Sequence, residues 1–401
     1  MQMQIKLFQE ANLFWVKFIR STTFYFIMKK RLWLLILFSV FLVGCSVAPL
    51  ETIDTNASYQ YEIIYEDLTG PWAIEFISQN QVLITEKRGN LLYLDLDSLQ
   101  KQEILGLPQI SNVGQGGLLD VHFDGELIFL TYSASNGEGH ATHLARAHLN
   151  LEDLVLESFE VLHVATPFMS GGAHFGSRTV SQGDYIYYST GDRGQKDFGP
   201  NHVSQDTQNY LGAIIRLYKN GSVPEDNPFV GEEFVLDGIY TYGHRNTQGL
   251  AINPFTNEIW SSEHGERDGD KINIIKAGNN YGWPIAHSGC RYGTNIPVSS
   301  SEFENEEVKN PVYVWECGTG GFPPAGMAFY QGEKLQGFNG DLFAGNLAGQ
   351  HLGRFVIQED GQVKQAKPLL EDLGERIRDV TQSPDGYLYV ITDSGKLIKI
   401  S

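Results

Sequence analysis

The sequence predicts an all-β fold, a single-domain six-bladed β-propeller, and three observations predict it. From about Tyr59 the chain is rich in β-branched and aromatic residues and is punctuated by many of its 43 glycines, the composition of strands joined by tight turns. No sustained 3.6-residue periodicity runs through it, so helices are not expected to dominate. One unit recurs six times: a small apolar strand, a turn, a second strand of alternating aromatic and aliphatic residues, and a third opened by glycine or a polar residue. A propeller accounts for six similar units better than the competing β-sandwich does.

The first strands are expected at Trp72 to Phe76, Gly117 to Val121, Gly176 to Val180, Gly249 to Asn253, Gly326 to Tyr330 and Arg378 to Gln382. Second strands follow turn signals, as Tyr185 to Tyr188 follows Gly183-Asp184 and Tyr387 to Val390 follows Asp385-Gly386. Third strands include Leu91 to Leu94, Ala213 to Leu217, Ile272 to Ile275 and Leu397 to Ile400. Each blade buries its faces only against its neighbours, so residues 59–401 are expected to be one cooperative domain.

Propeller geometry then brings distant residues together. The innermost strand of each blade lines the channel, and the loops entering those strands converge on one mouth. Those loops are Gly70-Pro71, Gln115-Gly116, Ala173-His174-Phe175, His244-Arg245-Asn246, Pro323-Pro324 and Arg376-Ile377. A scaffold built only for shape would place small or apolar residues there. This set gathers histidines, cations and amides at one concave site.

Ahead of the propeller, Met28-Lys29-Lys30-Arg31 is a basic segment followed by the apolar run Leu32 to Val43, the order of a secretory signal. That run is too short to span a bilayer. Leu42-Val43-Gly44-Cys45 looks like a bacterial lipobox, so residues 1–44 read as upstream segment and signal, with Met28 the expected start. Residues 45–58 read as a short linker after a lipidated Cys45. Lipid on Cys45 would hold the protein on the periplasmic side of a membrane, and Ser46 directs the expectation to the outer one. The leader carries six basic residues and one acidic residue, which leaves the remainder at a formal charge of −24. Such acidity argues against nucleic acid as a partner. Besides the lipidated Cys45 the chain has two cysteines, Cys290 and Cys317, and in an oxidising compartment they are expected to pair.

Seven segments carry a more specific signal: Gln115-Gly116-Gly117-Leu118-Leu119, His174-Phe175-Gly176-Ser177-Arg178, Gly191-Asp192-Arg193-Gly194, Gly243 to Gly249, Glu263-His264-Gly265, Asn280 to Pro284 and Arg376-Ile377-Arg378-Asp379. In this order they resemble the soluble sugar dehydrogenases that depend on pyrroloquinoline quinone, and the resemblance covers most of the chain from Gly70 to the C-terminus. It implies oxidation of aldoses at the anomeric carbon to lactones, with electrons passed to a periplasmic acceptor.

The resemblance also implies roles. His174 would be the general base, since an imidazole accepts a proton near neutral pH, with Asp192 orienting its ring. Arg245 and Asn246 would contact the quinone side of the cofactor, Arg376 and Arg378 would lie along it, and Gln115 and Trp315 complete the expected contacts. Three uncompensated guanidiniums around one channel call for an anion, and the quinone is a planar tricarboxylate. The competing reading is that carboxylates such as Asp379 neutralise them. Gly265 and Glu266 match positions whose backbone carbonyls hold a calcium ion, which prefers several oxygen ligands.

The chain departs from the family's pattern at four places. Lys271 stands where relatives commonly place Glu beside a second calcium, and a cation there would repel one. Ala348 replaces a cofactor-binding lysine, and Ala173 stands where some relatives have Asp. The stretch from Gly318 to Pro324 is longer and less polar than usual. Two other functions therefore stay open: a propeller kept as a binding module, and a calcium-dependent hydrolase of the lactonase type. A lactone needs no anion clamp, so the arginines weigh against the second.

Overall fold

The computed structural model describes residues 52–53, 57–299 and 307–401. The expected signal and lipobox, Cys45 included, lie outside the described residues.

Twenty-four strands among the described residues form six four-stranded antiparallel sheets. β1 (Tyr61–Tyr65) precedes blade 1, which is β2 (Pro71–Ser78), β3 (Gln81–Glu86), β4 (Asn90–Asp95) and β5 (Gln100–Ile104). Blade 2 is β6 (Leu118–Phe123), β7 (Ile128–Ser135), β8 (His140–Asn150) and β9 (Val155–Val164). Blade 3 is β10 (Thr179–Gln182), β11 (Tyr185–Ser189), β12 (Ile214–Tyr218) and β13 (Ile239–Thr241). Blade 4 is β14 (Thr247–Ile252), β15 (Ile259–Glu263), β16 (Lys271–Ile274) and β17 (Tyr313–Val314). Blade 5 is β18 (Pro324–Phe329), β19 (Leu342–Asn346), β20 (His351–Ile357) and β21 (Val363–Gln365). Blade 6 is β22 (Ile377–Gln382), β23 (Leu388–Thr392) and β24 (Leu397–Ile400), and β1 supplies its outer strand.

That last pairing, Tyr61 opposite Ile400, seals the ring by joining the start of the propeller to its end. The pairing covers the edge of β24 and completes the fourth strand of blade 6. The repeat pattern did not assign β1, because a lone outer strand lacks the unit's signature.

Middle strands such as β15 and β23 are buried on both faces, because each sheet packs between two others. The six hydrophobic clusters fall one to each junction between successive blades. Trp72 and Leu83 of blade 1 meet Leu118 and Tyr132 of blade 2, and around the ring Ile391 and Leu397 of blade 6 meet Ile74 and Ile84 of blade 1. Burying apolar area between blades, at about 25 cal/mol per Å², is what makes the ring cooperative.

One expected strand moves. Gly176 to Val180 was expected to open blade 3, but β10 begins at Thr179. Gly176 and Ser177 adopt positive φ, 64° and 91°, which a strand does not allow. The resulting bend carries Arg178 into the channel, where Nη1 donates to Asp120 Oδ1 at 2.8 Å and Asp379 Oδ2 at 2.9 Å.

Candidate active site

Antiparallel pairing returns the end of each second strand to the mouth where the first strand began. Pro71 lies opposite Glu86, Thr247 opposite Glu263 and Ile377 opposite Thr392. Turns after second strands therefore line the same mouth as the entry loops. Between them lies a cavity of about 690 Å³, a size that suits a small organic ligand.

Gln115, Asn246, Arg376 and Arg378 of the expected site line this cavity, together with His264. His174 borders it: its backbone N–H donates to Gln115 Oε1 at 2.7 Å, and the next residue, Phe175, is part of the lining. The His174 backbone has φ 48° and passes so close to Gly191 that a Cβ there would lie 2.2 Å from the His174 carbonyl oxygen. Glycine at 191 is what permits this approach.

His174 Nδ1 lies 2.6 Å from Asp192 Oδ1, which also accepts the Gly194 N–H at 2.8 Å. Asp192 Oδ2 accepts the Trp283 indole N–H at 2.8 Å. Burial alone would raise the Asp192 carboxyl. The hydrogen bond from His174 and the charges of His174 and Arg245 outweigh that effect and hold it below the usual carboxylate range. An ionised Asp192 can only accept, so Nδ1 carries a proton, and in the neutral imidazole Nε2 is the nitrogen that bears the lone pair. Nε2 makes no hydrogen bond within the described residues, and the side chain is 12% exposed.

Arg245 is buried and is not among the residues that line the cavity. Its N–H donates to Glu263 Oε1 at 2.7 Å, Nη2 donates to Glu266 Oε2 at 2.6 Å, and its guanidinium lies over the Trp283 ring. Lys196 Nζ reaches the same Glu266 carboxylate at 2.6 Å. Arg245 Nε is buried without a partner among the described residues.

The expectation of three uncompensated guanidiniums is therefore corrected. Glu266 meets Arg245, and Asp393 accepts from Arg376 Nε at 2.6 Å and from Arg378 Nε at 2.7 Å. Asp379 is not the neutralising carboxylate, because it faces the channel and binds Arg178. The cavity nonetheless keeps an excess of positive charge, since Lys87, Arg88, Arg376 and Arg378 line it with Asp393 as the lining carboxylate. His264 adds no charge there: burial pushes its pKa down to about 3.

Trp315 is also corrected. It is 1% exposed, stacks on Phe322 at 4.5 Å and donates its indole N–H to Gln365 Oε1, so it belongs to the core between blades 4 and 5. The apolar Phe322, from the lengthened stretch, covers the ring face that a cofactor would need. Lys87, Arg88, Asp393 and Trp283 were not among the expected site residues. The first three occupy turns after second strands, the same kind of turn that carries Asp192 and His264, and that regularity could have found them.

The residues present fit a planar polyanion: a cavity of suitable size lined by surplus cations and by the amides Gln115 and Asn246. For calcium, Gly265 and Glu266 offer backbone carbonyl oxygens. No group of three or more His, Cys, Asp or Glu side chains converges among the described residues. Lys271 occupies its position as a buried internal cation, donating to the Tyr281 carbonyl at 2.7 Å with Glu263 Oε1 at 3.7 Å. The expected Cys290–Cys317 disulfide is present and ties the segment after Trp283-Pro284 to the one after Trp315.

Comparison with known proteins agrees with this geometry. The family model described as glucose/sorbosone dehydrogenase matches residues 68–399. The aldose sugar dehydrogenase YliI of Escherichia coli is 36% identical over 356 residues, covering 86% of this chain and 93% of that protein. Quinoprotein glucose dehydrogenase B of Acinetobacter calcoaceticus is 27% identical over 417 residues, covering 84% and 86%. The crystal structure of the E. coli soluble aldose sugar dehydrogenase in its apo-form superposes with a TM-score of 0.79 at 34% identity, over 86% of this chain and 99% of that one.

Proposed function

The chain belongs to the glucose/sorbosone dehydrogenase family, and from that premise we propose that it oxidises aldose sugars at the anomeric carbon to lactones, with pyrroloquinoline quinone as its cofactor. The observation that carries the proposal is the His174–Asp192 pair standing beside a cavity with surplus cations.

The chain's own part in the reaction follows from that geometry. Nε2 of His174 takes the proton of the sugar's C1 hydroxyl. As the imidazolium forms, Asp192 stabilises it through Nδ1–H, and the Gly194 and Trp283 donors keep Asp192 from turning away. When bound, the quinone supplies a two-electron acceptor for the hydride that leaves C1. Arg376, Arg378, Asn246 and Gln115 would hold that cofactor, and Arg245 would face its quinone end. Calcium on the Gly265 and Glu266 carbonyls belongs to the same proposal and would polarise the quinone. A lactonase-type hydrolase fits less well, because opening a neutral lactone makes no use of the surplus positive charge.

The test is purified protein with quinone and calcium, followed by dye reduction across a panel of aldoses. Quinone-loaded protein that reduces no dye with any aldose overturns the proposal and leaves a binding module.

The leader supports a further part of the reading: export, lipid on Cys45 and delivery of electrons to a periplasmic acceptor. Stable anchoring needs more than one acyl chain. Cys45→Ser should release soluble protein, and unchanged fractionation with membranes would overturn the lipobox.

A further inference from the structure

Resting on the quinoprotein reading, we infer that Lys87 is a cofactor-holding residue, an ammonium placed to receive a carboxylate of a planar polycarboxylate across the cavity from Arg378. The function derived above counts it among the surplus cations but gives it no role of its own.

Lys87 follows β3 directly, and its backbone is fixed from both sides. Its N–H donates to the Gly70 carbonyl at 3.1 Å, and its carbonyl accepts the Leu118 N–H at 3.1 Å. Those contacts pin it between the entries to blades 1 and 2. The close approach depends on Gly117, where a Cβ would lie 2.0 Å from the Lys87 carbonyl oxygen and 2.7 Å from its Cγ.

The ammonium donates to the Gly114 carbonyl and makes no ion pair with a carboxylate among the described residues. One of its three hydrogens is thereby used. Its charged neighbours are Arg378 and Asp393, and Asp393 is already held by Arg376 and Arg378. Burial and then the charge of Arg378 hold the Lys87 amine below the usual lysine range. A carbonyl satisfies a donor without neutralising a charge. In a chain this acidic, a half-buried lysine that feels the charge of a nearby guanidinium, with Asp393 already shared by two arginines, is an arrangement that a bound anion relieves. The spread from Lys87 on blade 1 to Arg376 and Arg378 on blade 6 suits a ligand with carboxylates at separated points of a flat frame.

This makes the empty and loaded proteins respond in opposite directions. Removing the charge with Lys87→Gln relieves repulsion in the free protein but takes a charge-assisted contact from the anion. The experiment titrates the purified protein by tryptophan fluorescence with pyrroloquinoline quinone and, separately, with 1,3,5-benzenetricarboxylate, and records melting of the ligand-free protein. Lys87→Gln should weaken binding about 10- to 100-fold, Lys87→Arg should restore most of it, and Lys101→Gln, which removes a charge from the outer strand of the same blade, should change nothing. Ligand-free Lys87→Gln should melt at or above the wild-type temperature. Unchanged affinity in Lys87→Gln, or a ligand-free melting temperature well below wild type, overturns the inference, the second because it marks a structural lysine. Lys87-dependent binding of the benzenetricarboxylate by protein that binds no quinone sustains Lys87 as an anion residue and removes the quinone reading. Quinone bound equally by wild type and Lys87→Gln does the reverse, and protein that binds neither probe overturns both.

Discussion

Asp192 Oδ1 lies 2.6 Å from His174 Nδ1, while Asp192 Oδ2 takes the Trp283 indole N–H at 2.8 Å, so one buried carboxylate is anchored on both sides. The pair fixes which imidazole nitrogen is free to act as base. His174→Ala should lower kcat by about 10²–10⁴ with quinone affinity nearly intact. Asp192→Asn, which can present a donor to Nδ1, should also lower kcat and should alter the pH–rate profile. Dye-reduction rates beside quinone titrations check both, and a kcat within threefold of wild type for His174→Ala would remove it as the base.

Asp393 competes with any anion for Arg376 and Arg378. Burial alone would raise its carboxyl, but the hydrogen bond and charge of Arg378, then those of Arg376, bring it below the usual range. A carboxylate whose folded pKa is depressed stabilises the fold above its unfolded value near 3.9 and loses that contribution as pH falls through the folded value. Asp393→Asn should therefore cost about 1 kcal/mol at pH 7, the scale of a partly exposed pair. The melting temperatures of variant and wild type should converge in acid. Quinone affinity should rise in the same variant and fall in Arg378→Ala, as titration by absorbance would show.

Lys271 and Glu263 are both 1% exposed, and the Glu263 carboxyl also meets His244 Nδ1 at 2.9 Å. Lys271→Met would leave a buried carboxylate short of positive charge, at a cost of about 3–5 kcal/mol. Adding Glu263→Gln should recover part of that loss. Denaturant melts of the two single variants and the double variant measure the coupling, and strictly additive losses would show that the pair is not a unit.

The Cys290–Cys317 disulfide has a sequence separation of 27. Closing a loop of that size contributes about 3–4 kcal/mol in the chain-entropy model. The Cys290→Ser, Cys317→Ser protein should melt lower by that measure. Because Arg267 pairs with Cys290 through two backbone hydrogen bonds of 2.9 Å, loosening should centre on the Gly265–Asp270 segment. Hydrogen exchange resolved by peptide would locate it, and protection unchanged there would show that the bridge does not support the site.

Six blades, their first strands and the loops that form the mouth were legible in the sequence, because strand alternation and turn residues act within about ten residues of one another. The entry loops also placed His174, Gln115, Asn246 and Arg376 at the mouth, whereas the roles expected of these residues and of Asp192 and Arg378 came from the resemblance of their motifs to a family. Pairing Cys290 with Cys317 needed only a count. Tertiary structure alone decided which carboxylate meets which cation. Arg178 and Asp379 are 201 residues apart in sequence, and Arg376 and Arg378 meet Asp393 rather than Asp379 because Asp379 leaves β22 toward Arg178 while Asp393 sits in the turn after β23. It also decided that Trp315 is covered by Phe322 and that Lys87 enters the cavity. Coulomb energy and ring stacking depend on separations of a few ångströms between side chains of different blades, and those separations exist only once β1 has paired with β24 and closed the ring.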